Sequence, residues 1–281
     1  MLHFGPAGLP ARLPDGKDYR HAIPLLRELG LDAIEVEFVH GARMNPNVAR
    51  EVGAAARDSG IAITVHAPYY INLNAREPDK RERSVNHILA SARLGKLLGA
   101  KSVTFHAAFF LGMPREQVHQ TVISELGRIA ETLIAEDNPV LISPELTGKP
   151  VQWGSLEEIL GAARAVPQVW FCVDFAHLHA RTGGGWNSYE DFSTLLRQVS
   201  RELGSEALRA MHMHVAGIEF TSKGEKKHLN LEKSDFRYVD LLRALRDYAV
   251  EGSLICESPN LEEDAMLLAR EFREPGKEAG K

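Results

Sequence analysis

Six short apolar runs in this chain each end in a residue able to hold a metal ion. ITVHA, SVTFHA, LISPE, FCVD, AMHMH and LICES present His66, His106, Glu145, Asp174, His212 and Glu257. His177 follows Asp174 by one helical turn, and His228 lies beyond His212 in a polar stretch. Imidazole nitrogen and carboxylate oxygen are borderline-to-hard donors suited to Zn²⁺, Mn²⁺ or Fe²⁺. A single catalytic ion needs three or four ligands and keeps an open position, so this many candidates favours two or three ions. Neighbouring ions about 3.5–4 Å apart can share a carboxylate and a hydroxide. Glu145, from the middle of the series, is the natural bridge, and Glu145 and Glu257 are the carboxylates expected to be catalytic. A lone strand-end His is more often a hydrogen-bonded structural group, but six such positions in register argue against that reading. His40, His87 and His119 read as surface residues, whereas His3, His179 and His214 could support ligands rather than serve as them.

Residues so far apart in sequence need a scaffold that gathers strand ends. The β-rich apolar runs lie near 2–5, 33–38, 61–66, 102–107, 140–145, 169–174, 209–215 and 253–258. Helical patterns alternate with them near 18–30, 46–59, 79–99, 115–136, 155–165, 189–203, 236–249 and 261–272. Gly30, Gly60 and Gly99 stand where helix C-terminal caps belong. Strand–helix alternation with near-continuous apolar strands predicts an α/β fold with a parallel sheet, and this count fits a closed (β/α)8 barrel. An open sheet would string the strand ends along a line; a closed barrel brings them to one mouth. The barrel is expected to span 1–273 as one catalytic domain, with a disordered polar tail over 274–281. The stretches 66–78, 175–188 and 215–235 read as long structureless loops, all following strands and so lying on the catalytic face.

The chain has 281 residues, is 44% hydrophobic and 25% charged, and carries a formal charge of −5. That charge by itself disfavours a nucleic-acid partner. Bound divalent ions would neutralise the very carboxylates that repel a phosphate, so net charge does not decide the matter. No apolar run is long enough to span a bilayer and no secretion signal opens the chain, which leads to the expectation of a cytoplasmic protein. Cys172 and Cys256 sit inside strand-like runs and read as small packing groups.

VHAPYYINL, residues 65–73, is the most specific signature. It resembles the third-strand motif of the endonuclease IV family of abasic-site endonucleases, and the resemblance continues in order along nearly the whole chain. His106 matches the fourth-strand His of that family, Glu145 in SPELTGK the shared Glu, and Asp174 and His177 in DFAH its Asp-x-x-His. His212 in AMHM matches the family Met-His segment, and Glu257 in CESP the last-strand Glu. The resemblance implies a trinuclear zinc phosphodiesterase that cuts double-stranded DNA 5′ to abasic sites; the chain is expected to be a monomer with no obligate protein partner. It also implies DNA contact by Tyr69, entering the base stack, and by Arg43 in the loop after the second strand. The family's Asp-x-His appears here as GEKKH, so His228 matches while Lys226 takes the Asp position and Glu225 is the nearest acid. His214 stands where the family has a small amide, and GPAGLP replaces a His-Val-Ser pattern, marking a divergent branch. Arg76, Lys80, Lys223, Lys226 and Lys227 could line a path for a phosphate backbone.

A sugar isomerase or epimerase of the xylose-isomerase-like barrels is the alternative. Glu145, Asp174, His212 and Glu257 would satisfy its single metal equally well. His66, His106 and His228 discriminate, because a one-metal enzyme has no need of them. A third possibility is a metal-loaded barrel that binds damaged DNA without turnover.

Overall fold

Hydrogen-bonded strand pairs settle how the apolar runs are arranged. The structure, a computed structural model, describes residues 1–276. Its strands are β1 (Leu2–Pro6), β2 (Ala33–Glu37), β3 (Ala62–His66), β4 (Ser102–Phe105), β5 (Ala108–Phe109), β6 (Leu141–Pro144), β7 (Gln152–Trp153), β8 (Cys172–Asp174), β9 (Met211–Val215), β10 (Gly217–Thr221), β11 (Gly224–Leu229) and β12 (Gly252–Cys256). Two parallel four-stranded sheets form, in the orders β1-β12-β9-β8 and β2-β3-β4-β6. The bridge Ala7↔Glu35 joins them on one side, and Ile142↔Val169 and Glu145↔Cys172 join them on the other. The eight strands therefore close into the expected (β/α)8 barrel.

The helices are α1 (Tyr19–Glu28), α2 (Pro46–Ser59), α3 (Pro78–Leu98), α4 (Arg115–Ala135), α5 (Leu156–Ala165), α6 (Phe175–Arg181), α7 (Tyr189–Leu203), α8 (Tyr238–Asp247) and α9 (Glu262–Arg273). Local chemistry sets their ends. Asn45 caps α2, its side chain accepting from the Asn47 N–H, with Pro46 following. Capping boxes start α5 (Ser155 with Glu158) and α7 (Ser188 with Asp191). Gly60 and Gly99 close α2 and α3 in the left-handed conformation, as their places in the sequence predict.

Side-chain direction alternates along a strand, so each strand has an outward and an inward set. Ile34, Val36, Ile63, Val65, Val103, Met213 and Leu254 belong to one continuous apolar core cluster that runs from Leu2 to Ala269. The inward set is different. Glu35 on β2 touches His212 and His214 on β9, strands that are not neighbours, so this contact crosses the barrel interior. Barrel interiors are normally filled by layers of Val, Ile and Leu. Here Glu35, Thr64, Ser102, Thr104, Ser143, His212 and His214 are buried on the strands instead.

Two stretches expected to be structureless are ordered. Residues 175–181 form α6, and 217–229 form an antiparallel hairpin of β10 and β11. The short pair β5–β7, also antiparallel, adds a rim beside it. The tail expected from Glu274 lies outside the described residues from 277 onward; Glu274 itself donates its N–H to the Arg270 carbonyl at 2.8 Å. No helix of the described residues is long and apolar enough to cross a membrane. Both cysteines are buried and free.

Candidate metal centre

Each group at the barrel mouth is aimed by its own strand end. His66 closes β3, and its Nδ1 lies 2.7 Å from the Ala67 carbonyl. A carbonyl only accepts, so Nδ1 carries hydrogen and Nε2 is the nitrogen left to face the other groups of the mouth. That nitrogen is 3.2 Å from Glu145 Oε2. Asp174 ends β8 and caps α6, its Oδ1 accepting from the His177 N–H at 2.7 Å. The cap holds His177 over the mouth. His177 Nδ1 faces oxygens alone: the Leu146 carbonyl at 3.1 Å, Glu145 Oε1 at 2.9 Å and Asp174 Oδ2 at 3.0 Å. Its Nε2 turns the other way, 3.4 Å from His228 Nε2 and 3.5 Å from Glu225 Oε2.

Glu145 sits at the centre of the arrangement, fully buried. Oε2 faces His66 and, at 3.3 Å, His106 Nε2. Oε1 faces His177 and, at 3.6 Å, His214 Nδ1. Glu257 presents Oε1 to His214 Nδ1 at 3.3 Å and Oε2 to His228 Nε2 at 3.9 Å. Five sets of donor atoms, each lying within 4.8 Å, occur among the described residues: His66–His106–Glu145, Glu145–Asp174–His214–Glu257 and Asp174–His177–His228–Glu257 at the mouth, with Glu35–Glu37–Glu257 and Cys172–His212–His214 reaching below it.

The electrostatics ask for positive charge. Burial, opposed by His214 but reinforced by Glu145 and Asp174, pushes the Glu257 carboxyl up to about 8. Burial pushes Glu37 up to about 7 against the pull of His66. Burial disfavours charge on His66, yet Glu37 and Glu145 outweigh it and raise the imidazole to about 10. His177 is likewise raised well above its ordinary value despite burial, by Asp174 and Glu145. Glu257 and Glu37, crowded by other carboxylates in a dry site, hold protons where a cation would stand. Glu145 Oε1, Asp174 Oδ2 and His214 Nδ1 are buried without an aligned hydrogen bond. Such atoms are costly unless something occupies them. The imidazole and carboxylate donor set fits divalent transition-metal ions.

His212 stands apart from the other expected ligands. His212, expected in this group, lies one strand repeat deeper. Its Nε2 is 2.8 Å from Glu35 Oε2 and its Nδ1 is 2.9 Å from Ser102 Oγ. His214, two residues on and facing the same way, reaches the mouth in its place. Glu225 is brought inward by a bulge: Phe220 pairs with Glu225 and Glu219 with Lys227, so Lys226 is the extra residue. The bulge turns a three-residue spacing into a shared face, and Glu225 and His228 both approach His177. Lys226 points away, paired with Glu219. Gly148 makes room, since a Cβ there would stand 2.6 Å from Glu225 Cβ and 3.0 Å from His177 Cδ2.

Glu35 and Glu37 were missed by sequence reasoning. Their signal is visible in AIEVE, where two acids occupy alternate positions of an otherwise apolar strand. His87 and His119 are half-buried rather than surface residues. His87 packs edge-on against Tyr70, and His119 Nδ1 accepts from the Trp153 indole at 3.2 Å.

Around the mouth, Tyr69 is 54% exposed and Tyr70 52%. Arg43 is exposed on the neighbouring loop, and its guanidinium and the Tyr70 hydroxyl both border Gly41. Of the basic side chains, Lys80 pairs with Glu77 at 2.7 Å and Lys227 with Glu219 at 3.3 Å. Arg76 donates to the Leu111 carbonyl at 2.9 Å. A cavity of about 570 Å³ beside Tyr70 is lined by Arg76, Lys80, Arg83 and His87. A cavity of about 570 Å³ also opens at the opposite end of the barrel, lined by His3, Lys101, Ser102, Trp170, Arg209 and His212. Strand starts line that one, which is not the end where barrels place their chemistry.

The sequence profile of the xylose isomerase-like TIM barrels matches residues 23–274. An uncharacterized protein of Methanocaldococcus jannaschii is 39% identical over 274 residues, 98% of each chain. A probable endonuclease 4 of Mycoplasma pneumoniae is 23% identical over 204 residues, covering 70% of this chain and 68% of its own. Endonuclease IV from Thermus thermophilus superposes with a TM-score of 0.73 at 22% identity, covering 95% of this chain and 97% of that one. A D-tagatose 3-epimerase-like protein reaches 0.72 at 19% identity, covering 97% and 96%. At those identities the two solved structures attest to the fold alone. With the profile matched along nearly its whole length, the chain belongs to the xylose isomerase-like TIM barrel family.

Proposed function

We propose that this protein is a metal-dependent endodeoxyribonuclease that hydrolyses the phosphodiester 5′ to abasic sites in DNA. The observation that carries the reading is the placement of Glu145. Its two oxygens face separate imidazole sets, His66 with His106 on one side and His177 with His214 on the other. A carboxylate so shared suits two or three ions, with zinc favoured by the imidazole-rich donor set and Mn²⁺ or Fe²⁺ as alternatives. Bound ions would supply an activated water and neutralise charge developing at phosphorus. The protein's own groups would do the rest. His66 and His106 would hold one ion against Glu145, and Asp174, His214 and Glu257 a second. His177, His228 and Glu225 would flank a third. Glu257, placed between His214 and His228, would tie the second position to the third. Tyr69 stands exposed at the rim, where stacking could replace a lost base, worth about 1–3 kcal/mol per base, and Arg43 lies on the adjoining loop to meet the backbone. The distant relatives named probable endonuclease 4 support the reading.

One observation favours a second reading. Glu145, Asp174, His214 and Glu257 alone make a compact four-donor set, sufficient for a one-metal sugar isomerase or epimerase. A single assay separates the two. Purified protein is incubated with a duplex carrying one tetrahydrofuran abasic analogue, which resists β-elimination, and its metal content is measured on the same sample. A cut 5′ to the analogue, abolished in Glu145→Gln and weakened in Tyr69→Ala, is the expected result. Two or three bound ions without a cut would move the substrate to another phosphodiester. One ion and no cut would overturn the nuclease reading and turn the search to ketoses and aldoses.

A further inference from the structure

Beneath the mouth lies a second polar layer whose connections are all specific. Glu35, buried in the middle of β2, is its hub. Oε2 accepts from Thr64 Oγ1 at 2.8 Å and lies 2.8 Å from His212 Nε2. Oε1 lies 2.9 Å from His214 Nε2, an approach whose angle falls short of a hydrogen bond.

Donor and acceptor chemistry assigns the protons. Every group facing the Glu35 oxygens is one that can donate, the Thr64 hydroxyl and the Nε2 atoms of His212 and His214, which is the setting of an ionised carboxylate. An ionised carboxylate only accepts, so both facing nitrogens carry hydrogen. His212 Nδ1 is then free to accept from the Ser102 hydroxyl at 2.9 Å, and every polar atom of His212 has a partner. For His214 the consequence points upward. With hydrogen on Nε2, its Nδ1 lone pair is directed at the space between Glu145 Oε1 and Glu257 Oε1, 3.6 and 3.3 Å away.

The geometry points to Glu35 as a positioning residue that fixes the tautomer and tilt of His214, so that β9 serves the metal centre through His214 Nδ1. His212, Thr64 and Ser102 brace Glu35 from below and hold no ion themselves. A carboxylate behind a ligating imidazole also raises the basicity of the nitrogen facing the metal. The inference rests on the mouth being a metal centre, and does not require that its substrate be DNA.

The test reads metal binding directly. Wild-type protein and Glu35→Gln are stripped of metal and titrated with Zn²⁺ against a chromophoric chelator. The neutral amide should weaken binding of one ion by roughly 10–100-fold, as loss of such a partner typically does, and Glu35→Asp should recover part of it. ¹H–¹⁵N spectra of the zinc-loaded wild type supply an independent readout, which a merely structural role would not move. His214 should show a metallated Nδ1 and a protonated Nε2, with His212 unmetallated. Zinc affinity unchanged in Glu35→Gln, a metal signal on His212, or the opposite His214 tautomer would each overturn the inference. If Glu35→Gln does not fold, the spectra alone decide. A wild-type chain that binds no divalent ion removes the metal centre and this inference together. A chain that binds ions and leaves abasic DNA uncut removes only the nuclease reading.

Discussion

The mouth of the barrel and the layer just beneath it are built from the same residue types, paired to different degrees. At the mouth, Glu145 Oε1, Asp174 Oδ2 and His214 Nδ1 are buried and lack aligned partners. One strand repeat down, His212 is satisfied at both nitrogens and Glu35 Oε2 by two donors. Glu145, Asp174 and His214 are as deeply buried as Glu35 and His212, so burial does not distinguish these groups; pairing does. A buried polar group that has partners rigidifies a core, whereas one without them is a cost unless something else binds there. The contrast shows which imidazoles of this barrel are free to be ligands, and it yields expectations that differ in kind between the layers.

The largest effect should come from the centre of the unpaired layer. Glu145→Gln keeps the shape of the side chain but turns one ligating oxygen into an N–H₂ group that can only donate. Its loss should exceed the roughly 10–100-fold that removing a supporting partner costs, and bound metal should fall by at least one ion. Metal analysis after dialysis checks this; full metal content would undo the contrast at its strongest point. Next comes Gly148→Ala. The added methyl would press on Glu225 and, at 3.0 Å, on His177 Cδ2, disturbing one flank of the mouth only. One ion should be lost while the His66–His106–Glu145 set keeps its own. Loss of every ion would mean that the sets do not fill separately.

These expectations also mark what the sequence made legible. The eight barrel strands and eight of the helices were readable because apolar periodicity and caps such as Asn45–Pro46 and Gly60 act over a few residues. The strand-end residues were readable because chemistry concentrates there in a barrel. Depth was not. His212 and His214 share a face by the two-residue period, and which one reaches the mouth depends on strand stagger, a property of the closed barrel rather than of β9. Glu225 was legible only as a shifted acid, because the bulge opposite Glu219 and Phe220 that redirects it carries no sharp local signal. The helix α6 was hidden for another reason: FAHLHAR is seven residues long, and its cap, Asp174, already read as a ligand. Glu35 escaped notice because an acid within an apolar strand has meaning only once β9 is seen across the barrel.

The lower layer should answer differently, in stability more than in metal content. Thr64→Val removes the hydroxyl that donates to Glu35 Oε2 at 2.8 Å while nearly conserving volume. A hydrogen bond to a charged group contributes about 1.5–3 kcal/mol, so chemical denaturation should show a loss of that size. Zinc affinity should fall less than in Glu35→Gln, because the carboxylate keeps its charge and its contact with His214.

Ser102→Ala should be the mildest change and is the most discriminating. The substitution takes away a neutral donor and leaves His212 Nδ1 without its partner, at a cost of about 1 kcal/mol or somewhat more. Ser102 is three links from the mouth, through His212, Glu35 and His214 in turn. If His212 only braces Glu35, its tautomer stays set by the carboxylate, and metal count and zinc affinity remain those of the wild type while the denaturation midpoint drops. If zinc affinity drops as well, and by more than in Thr64→Val, His212 takes part in binding the ion. The two layers would then be one site, and the division drawn from the pairing of their atoms would fail.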